Sequence, residues 1–205
     1  MCPLDMSSFR HKSKWLLALL FWLGLIAGGY VWLLRYSFAA GKSVTAPHRI
    51  PPALAPLATS ARSQLFVALH PHCPCSRATM RELAKILSRA ANTSDVTVLV
   101  YKPADKADGW SESPLVEDCR RMNCRIIQDA DGKLAATLGS LTSGSVALYD
   151  HKGRLRYQGG ITASRGHEGD NGGEKAVIEI LLGNRESHRS LPVFGCPIQQ
   201  EAATR

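Results

Sequence analysis

At 205 residues, 45% apolar and 20% charged, the chain can bury one ordinary core but not two. Its net charge of +8 comes from basic residues scattered along the sequence, without a run of five or six and without interleaved aromatics. That dispersion argues against nucleic-acid binding, which needs a basic footprint clustered on one element.

Residues 15–34 carry no charge and are rich in aromatics, with Trp15, Phe21, Trp22, Tyr30 and Trp32. About 20 apolar residues at ~1.5 Å each cross a hydrocarbon core of ~30 Å. A signal peptide's apolar region runs to only about 7–15 residues, so the stretch predicts an uncleaved anchor in contact with membrane lipid. Arg10, Lys12 and Lys14 form a denser basic cluster than Arg35, Lys42 and Arg49 on the other side. The expected orientation therefore has residues 1–14 in the cytoplasm and the remainder outside.

Residues 35–62 are expected to be a linker. From Thr45 to Ser60 it carries four prolines, which remove backbone donors and favour extended geometry, so the segment reads as a semi-rigid spacer. A folded domain is expected over 63–183, with a tail over 184–205.

Within the domain, Leu65–Leu69 suits a buried strand. A helix from about Pro74 follows, with Ala78, Leu83, Ile86, Leu87 and Ala90 at helical spacing. Asp95–Val100 predicts a second strand, and Ser113–Met122 a helix with Pro114 at its first position. Arg125–Gln128 is a short strand and Asp131–Leu138 a helical turn. Ser145–Tyr149 and Leu155–Gln158 flank the turn signal Asp150-His151-Lys152-Gly153 and read as a hairpin. Glu174–Leu182 closes the domain as a helix stopped by Gly183. Strand–helix–strand–helix followed by a hairpin and a helix predicts an α/β domain, a mixed sheet flanked by helices.

Six cysteines are distributed unevenly: Cys2, Cys73 with Cys75, Cys119 with Cys124, and Cys196. Neither a disulfide scaffold nor a zinc ribbon has this spacing. Cys119 and Cys124 straddle a helix end and are expected to pair in an oxidising compartment.

The stretch L-F-V-A-L-H-P-H-C-P-C-S-R-A-T-M-R-E-L at 65–83 resembles thioredoxin-like proteins of the TlpA type, membrane-tethered periplasmic thiol oxidoreductases. The stretches at 129–139 and 146–160 are similar to the same group, so the resemblance covers roughly 63–183. H-P-H-C-P-C-S and S-R-G-H-E-G-D-N are most similar to the RedB subgroup. The resemblance implies a thioredoxin-like fold, a protein thiol or disulfide as partner, no required cofactor, and a periplasmic domain anchored in a bacterial inner membrane. It places Cys73 on the nucleophilic cysteine, Cys75 on a proline and Ser76 on the resolving cysteine. The family's cis-proline falls on Gly144.

If Pro74 opens the helix, Cys73 is its N-cap, where unpaired amide hydrogens and the helix dipole favour thiolate. Two residues along a helix is a rotation of about 200°, so Cys73 and Cys75 would pair only in a strained disulfide. Three uses of the motif stay open: a C-x-C disulfide, a monothiol at Cys73 backed by Ser76, or a copper or zinc site made from His70, His72, Cys73 and Cys75. Tracing strand directions in the resembled fold brings the loop at 164–173 over Cys73, offering Arg165, His167, Glu168 and Asp170. Cys196 resolves Cys73 if the tail folds back. A catalytically silent adaptor of the same fold is the third class of function.

Overall fold

The computed structural model describes residues 6–58, 62–184 and 189–199. Cys2, the outer end of the expected cytoplasmic segment, three linker positions and parts of the tail lie outside the described residues. The chain divides into two compact units, residues 1–39 and 40–205.

The first unit is one helix, α1 (Met6–Ser37). Its stretch Ser13–Ser37 is 25 residues long with mean hydropathy 2.1, and its apolar side chains are exposed. At 1.5 Å per residue it is about 37 Å long, enough to cross a bilayer.

The second unit is a mixed sheet flanked by helices. The strands are β1 (Ser63–Leu69), β2 (Ser94–Lys102), β3 (Arg125–Ala130), β4 (Ser145–Tyr149), β5 (Leu155–Gly160) and β6 (Arg189–Ser190). Among the described residues they lie in the order β3-β2-β1-β4-β5-β6. β1, β2 and β3 run parallel through crossover helices, and β4 is antiparallel to both β1 and β5. The helices are α2 (Ser76–Arg89), α3 (Pro114–Arg121), α4 (Lys133–Thr137) and α5 (Gly172–Leu181). This is a thioredoxin-like arrangement.

Alternation along the buried strands divides the single domain's core into a first and a second core, one on each face of the sheet. Leu65, Val67 and Leu69 face Leu83 and Ile86 of α2, Val116 and Cys119 of α3, and Val177 of α5. Phe66 and Ala68 face the other side, against Leu54, Leu138 and Tyr149. Ser113 caps α3 ahead of Pro114, its hydroxyl accepting from the Val116 amide, and Asn171 caps α5 through Glu174.

Two expectations are corrected. The proline-rich stretch is not a free spacer: residues 40–58 belong to the domain. Prolines remove donors but leave carbonyls, and these are used. Pro47 accepts from the Tyr149 hydroxyl (3.1 Å) and His48 from the Leu155 amide (2.9 Å), while Ala46 donates to Gln158 (2.8 Å). Leu54 is fully buried in the second core. The C-terminal segment also returns to the sheet, adding β6 beside β5 and then running across the end of the domain.

Candidate active site

The register brings several chain segments to one sheet edge. Ala68 near the end of β1 is opposite Ser145 at the start of β4, and Ser145 is opposite Gly160 at the end of β5. The turn after β1 carries Cys73, the loop before β4 carries Ser143, and the loop after β5 carries Arg165.

α2 begins two residues later than the sequence suggests. The chain turns first, with the Cys73 amide donating to His70 (3.1 Å) and the Ser76 amide to Cys73 (3.1 Å). Cys75 is the N-cap of α2, and its side chain makes no capping bond. Cys73 therefore sits in the preceding turn, only 2% exposed.

Three sulfurs meet here. Those of Cys73, Cys75 and Cys196 lie within 4.8 Å of one another. Cys196 arrives on the tail, paired antiparallel with the loop before β4. The Ser143 amide donates to the Cys196 carbonyl (2.8 Å), and the Ile198 amide donates to Leu141 (2.9 Å).

The three thiols differ electrostatically. Burial alone pushes Cys73 up, but donors on its sulfur outweigh it and bring the group below the ordinary thiol value. Those donors are the Ser76 hydroxyl, the Cys196 thiol, and the amides of Cys196 and Ser76. Cys75 is pushed up by burial and by the charge on Cys73, against a smaller downward pull from Cys196 and Arg165. Burial and the neighbouring Cys73 also push Cys196 up. Of the three, Cys73 is the thiol most readily ionised.

Ser76, on the family's resolving position, is a hydrogen-bond donor here. Its hydroxyl lies 2.7 Å from that of Ser143, which accepts from the His70 amide at 2.8 Å. Gly144 follows. Its amide donates to the Ala68 carbonyl (2.8 Å), a bond no proline can make, and its φ is +92°. A β-carbon there would crowd the Thr79 hydroxyl at 2.8 Å. These two constraints require glycine at this position.

The histidines do not join the sulfurs. His70 stacks on Tyr101 and meets Trp110 edge-on, while His72 packs against Trp110 and its Nε2 lies 3.0 Å from the Trp110 carbonyl. Burial, and then His72, hold His70 below the usual imidazole range. Among the described residues the metal-competent cluster is thus three thiols, not the histidine-containing set expected from spacing.

The loop at 164–173 does cover the start of α2. Gly169 donates to the buried Glu82 (2.8 Å), and Glu168 pairs with Arg81 (2.7 Å). Arg165 reaches the Gly195 carbonyl and acts on Cys75, while His167 and Asp170 are exposed to solvent. Cys119 and Cys124, expected as a disulfide, are free thiols. Cys119 points into the core against the Met80 sulfur (3.3 Å), while Cys124 lies half-buried near the Met122 carbonyl.

No protein-family model matches the chain, and neither does any curated protein. Solved structures do. A hypothetical protein from Sinorhizobium meliloti 1021 superposes with TM-score 0.56 at 21% identity, covering 82% of this chain and 98% of that one. An uncharacterized conserved protein from Geobacillus kaustophilus has TM-score 0.56 at 14% identity, covering 82% and 96%. A secreted Mycobacterium tuberculosis disulfide oxidoreductase, homologous to Escherichia coli DsbE, has TM-score 0.42 at 14% identity over 63% and 85%. At these identities the likeness concerns the fold alone, and the chain has the thioredoxin-like fold.

Proposed function

We propose that the chain is a membrane-anchored thiol–disulfide oxidoreductase with Cys73 as its nucleophile. One observation carries this reading: the buried Cys73 sulfur lies within 4.8 Å of two further thiols, and donors led by the Ser76 hydroxyl hold its thiol below the ordinary value. Donors of this kind favour the thiolate, which is the attacking species in disulfide exchange. The resemblance at 65–83 puts the same sulfur on the family's reactive position. The partner is a protein thiol or disulfide. The working division is an anchor over 15–34 and a thioredoxin-like domain from about residue 40, on the periplasmic side of a bacterial inner membrane. Reduction of a protein disulfide by the purified chain and by Cys73→Ser tests the reading. Loss of turnover in the variant is expected, and equal turnover overturns it.

The three-sulfur cluster favours one second reading. Three thiolates without an oxygen or imidazole donor form a soft set suited to copper(I), and to zinc if a fourth ligand joins. Stoichiometric copper or zinc in the purified chain, lost on replacing Cys73, Cys75 or Cys196, supports capture or delivery of metal. A chain that binds neither ion on titration removes it.

A further inference from the structure

The C-terminal strand and the sulfur it carries stand in a particular relation to the edge before β4. Residues 196–198 add antiparallel to 141–143, with Thr142 opposite Pro197. The flanking bonds run from Ser143 to Cys196 and from Ile198 to Leu141. Thr142 and Pro197 are therefore a non-hydrogen-bonded pair, so the proline costs no ladder bond. A β-carbon on Gly195 would overlap the Ser143 carbonyl oxygen, so the residue before the cysteine has to be glycine. The strand also covers the reaction centre, since Cys73 is 2% exposed beneath it. No protein disulfide reaches that sulfur while the strand lies in place. A cavity of about 580 Å³, lined by Lys42, Thr142, Arg165, Gly195 and Ile198, runs beside the strand.

We infer that Cys196 is the resolving thiol, carried on a strand that exchanges places with the partner. This rests on the redox reading of Cys73. The partner is an extended polypeptide with a disulfide-bonded cysteine preceded by glycine. It adds to 141–143 where the tail now lies, through the same backbone groups. Cys73 attacks the partner's sulfur, a Cys73–partner disulfide forms, and the partner's former bond partner leaves as a thiolate. The tail then returns to its edge. Cys196 attacks the Cys73 sulfur and its proton passes to the departing partner sulfur, so the Cys73–Cys196 bond forms and the partner leaves as a thiol. Two electrons pass from the chain to the partner. The strand that expels the partner from the edge is the one that cuts its covalent link.

The test uses the full chain and the synthetic peptide Phe-Gly-Cys-Pro-Ile-Gln, its cysteine blocked as a mixed disulfide with thionitrobenzoate. Wild type is expected to release thionitrobenzoate and then the peptide thiol, ending two hydrogens lighter by intact mass. Cys196→Ser and Cys196→Ala should instead stop at a Cys73–peptide adduct, while Cys75→Ser still completes the exchange at whatever rate. A peptide with valine in place of the glycine should react roughly tenfold more slowly, as ~1.4 kcal/mol of lost docking requires. Trapping by Cys75→Ser with full release by both Cys196 variants overturns the inference, as do equal rates for the two peptides. Thionitrobenzoate release from Cys73→Ser as fast as from wild type overturns the underlying redox reading instead. So does a wild-type chain inert to the peptide.

Discussion

The hydroxyls of Ser76 and Ser143 lie 2.7 Å apart and join the turn that carries Cys73 to the loop that holds the tail. Ser143 also accepts from the His70 amide, and either hydroxyl can donate across the 2.7 Å contact. Ser76 in turn donates to the Cys73 sulfur. With Ser143 donating to Ser76, the chain of donors runs toward the Cys73 sulfur, and such chains strengthen each member. Ser76→Ala removes the last donor, and Ser143→Ala removes the group that orients it. Both should raise the midpoint of the pH–rate profile for reaction with a small aromatic disulfide, Ser76→Ala more than Ser143→Ala. Near neutral pH the rate should fall roughly three- to tenfold, on the scale of one hydrogen bond to a charged group. Unchanged profiles in both variants would remove these hydroxyls from the account.

Leu54, in the proline-rich stretch, is fully buried against the second core. Leu54→Ala in the full chain should lower the unfolding free energy by about 2–5 kcal/mol, the usual cost of such a truncation. A true spacer residue would show almost none. Chemical denaturation of the two proteins side by side decides between an integral segment and a tether.

Cys119 is pushed up to about 12 by burial, with smaller contributions from Cys124 and Asp118. The folded state therefore keeps this proton at pH values where the unfolded chain, near an ordinary 9.0, has lost it. Stability from the neutral thiol is complete below about pH 8.5 and is lost as pH rises toward 12, with a limiting slope of about 1.4 kcal/mol per pH unit. Cys119→Ala should be less stable than wild type near neutrality, and the gap should narrow with rising pH under reducing conditions. Denaturation curves at pH 8 and pH 10 that keep a constant gap would contradict this.

Topology decides what chemistry the cysteines meet. In the proposed orientation, with residues 1–14 inside and the domain outside, no glutathione pool keeps the thiols reduced. A membrane-impermeant thiol reagent or a protease added to intact cells should reach the domain. Protection in intact cells with attack after lysis would reverse the orientation.

The parts of this fold that were legible beforehand are the locally encoded ones. The hairpin turn at Asp150–Gly153, the Ser113-Pro114 start of α3 and the five buried residues of β4 each carry their signal within a few positions. The tail had no such signal. Pro192, Gly195 and Pro197 break every periodicity, and the partners of this strand lie at 141–143 and 158–160, more than thirty residues away. The linker misled for a related reason, since proline content reports missing donors and says nothing about carbonyls that receive bonds from elsewhere. At the candidate site, the nearness of Arg165 to the cysteine turn was readable from strand directions, while the role of Cys73 rests on the resembled motif. The displacement of His70 and His72 was not, because Tyr101 and Trp110 reach them from other elements.

In the proposed mechanism, the passage of electrons through Cys73 underlies every other step. It is tested most directly by equilibrating the full chain in graded glutathione redox buffers and mapping every disulfide by peptide mass spectrometry. One two-electron couple is expected, in which Cys73 is bonded in the oxidised form with Cys196 as its partner. An oxidised chain in which other cysteines have paired and Cys73 remains a free thiol would contradict it.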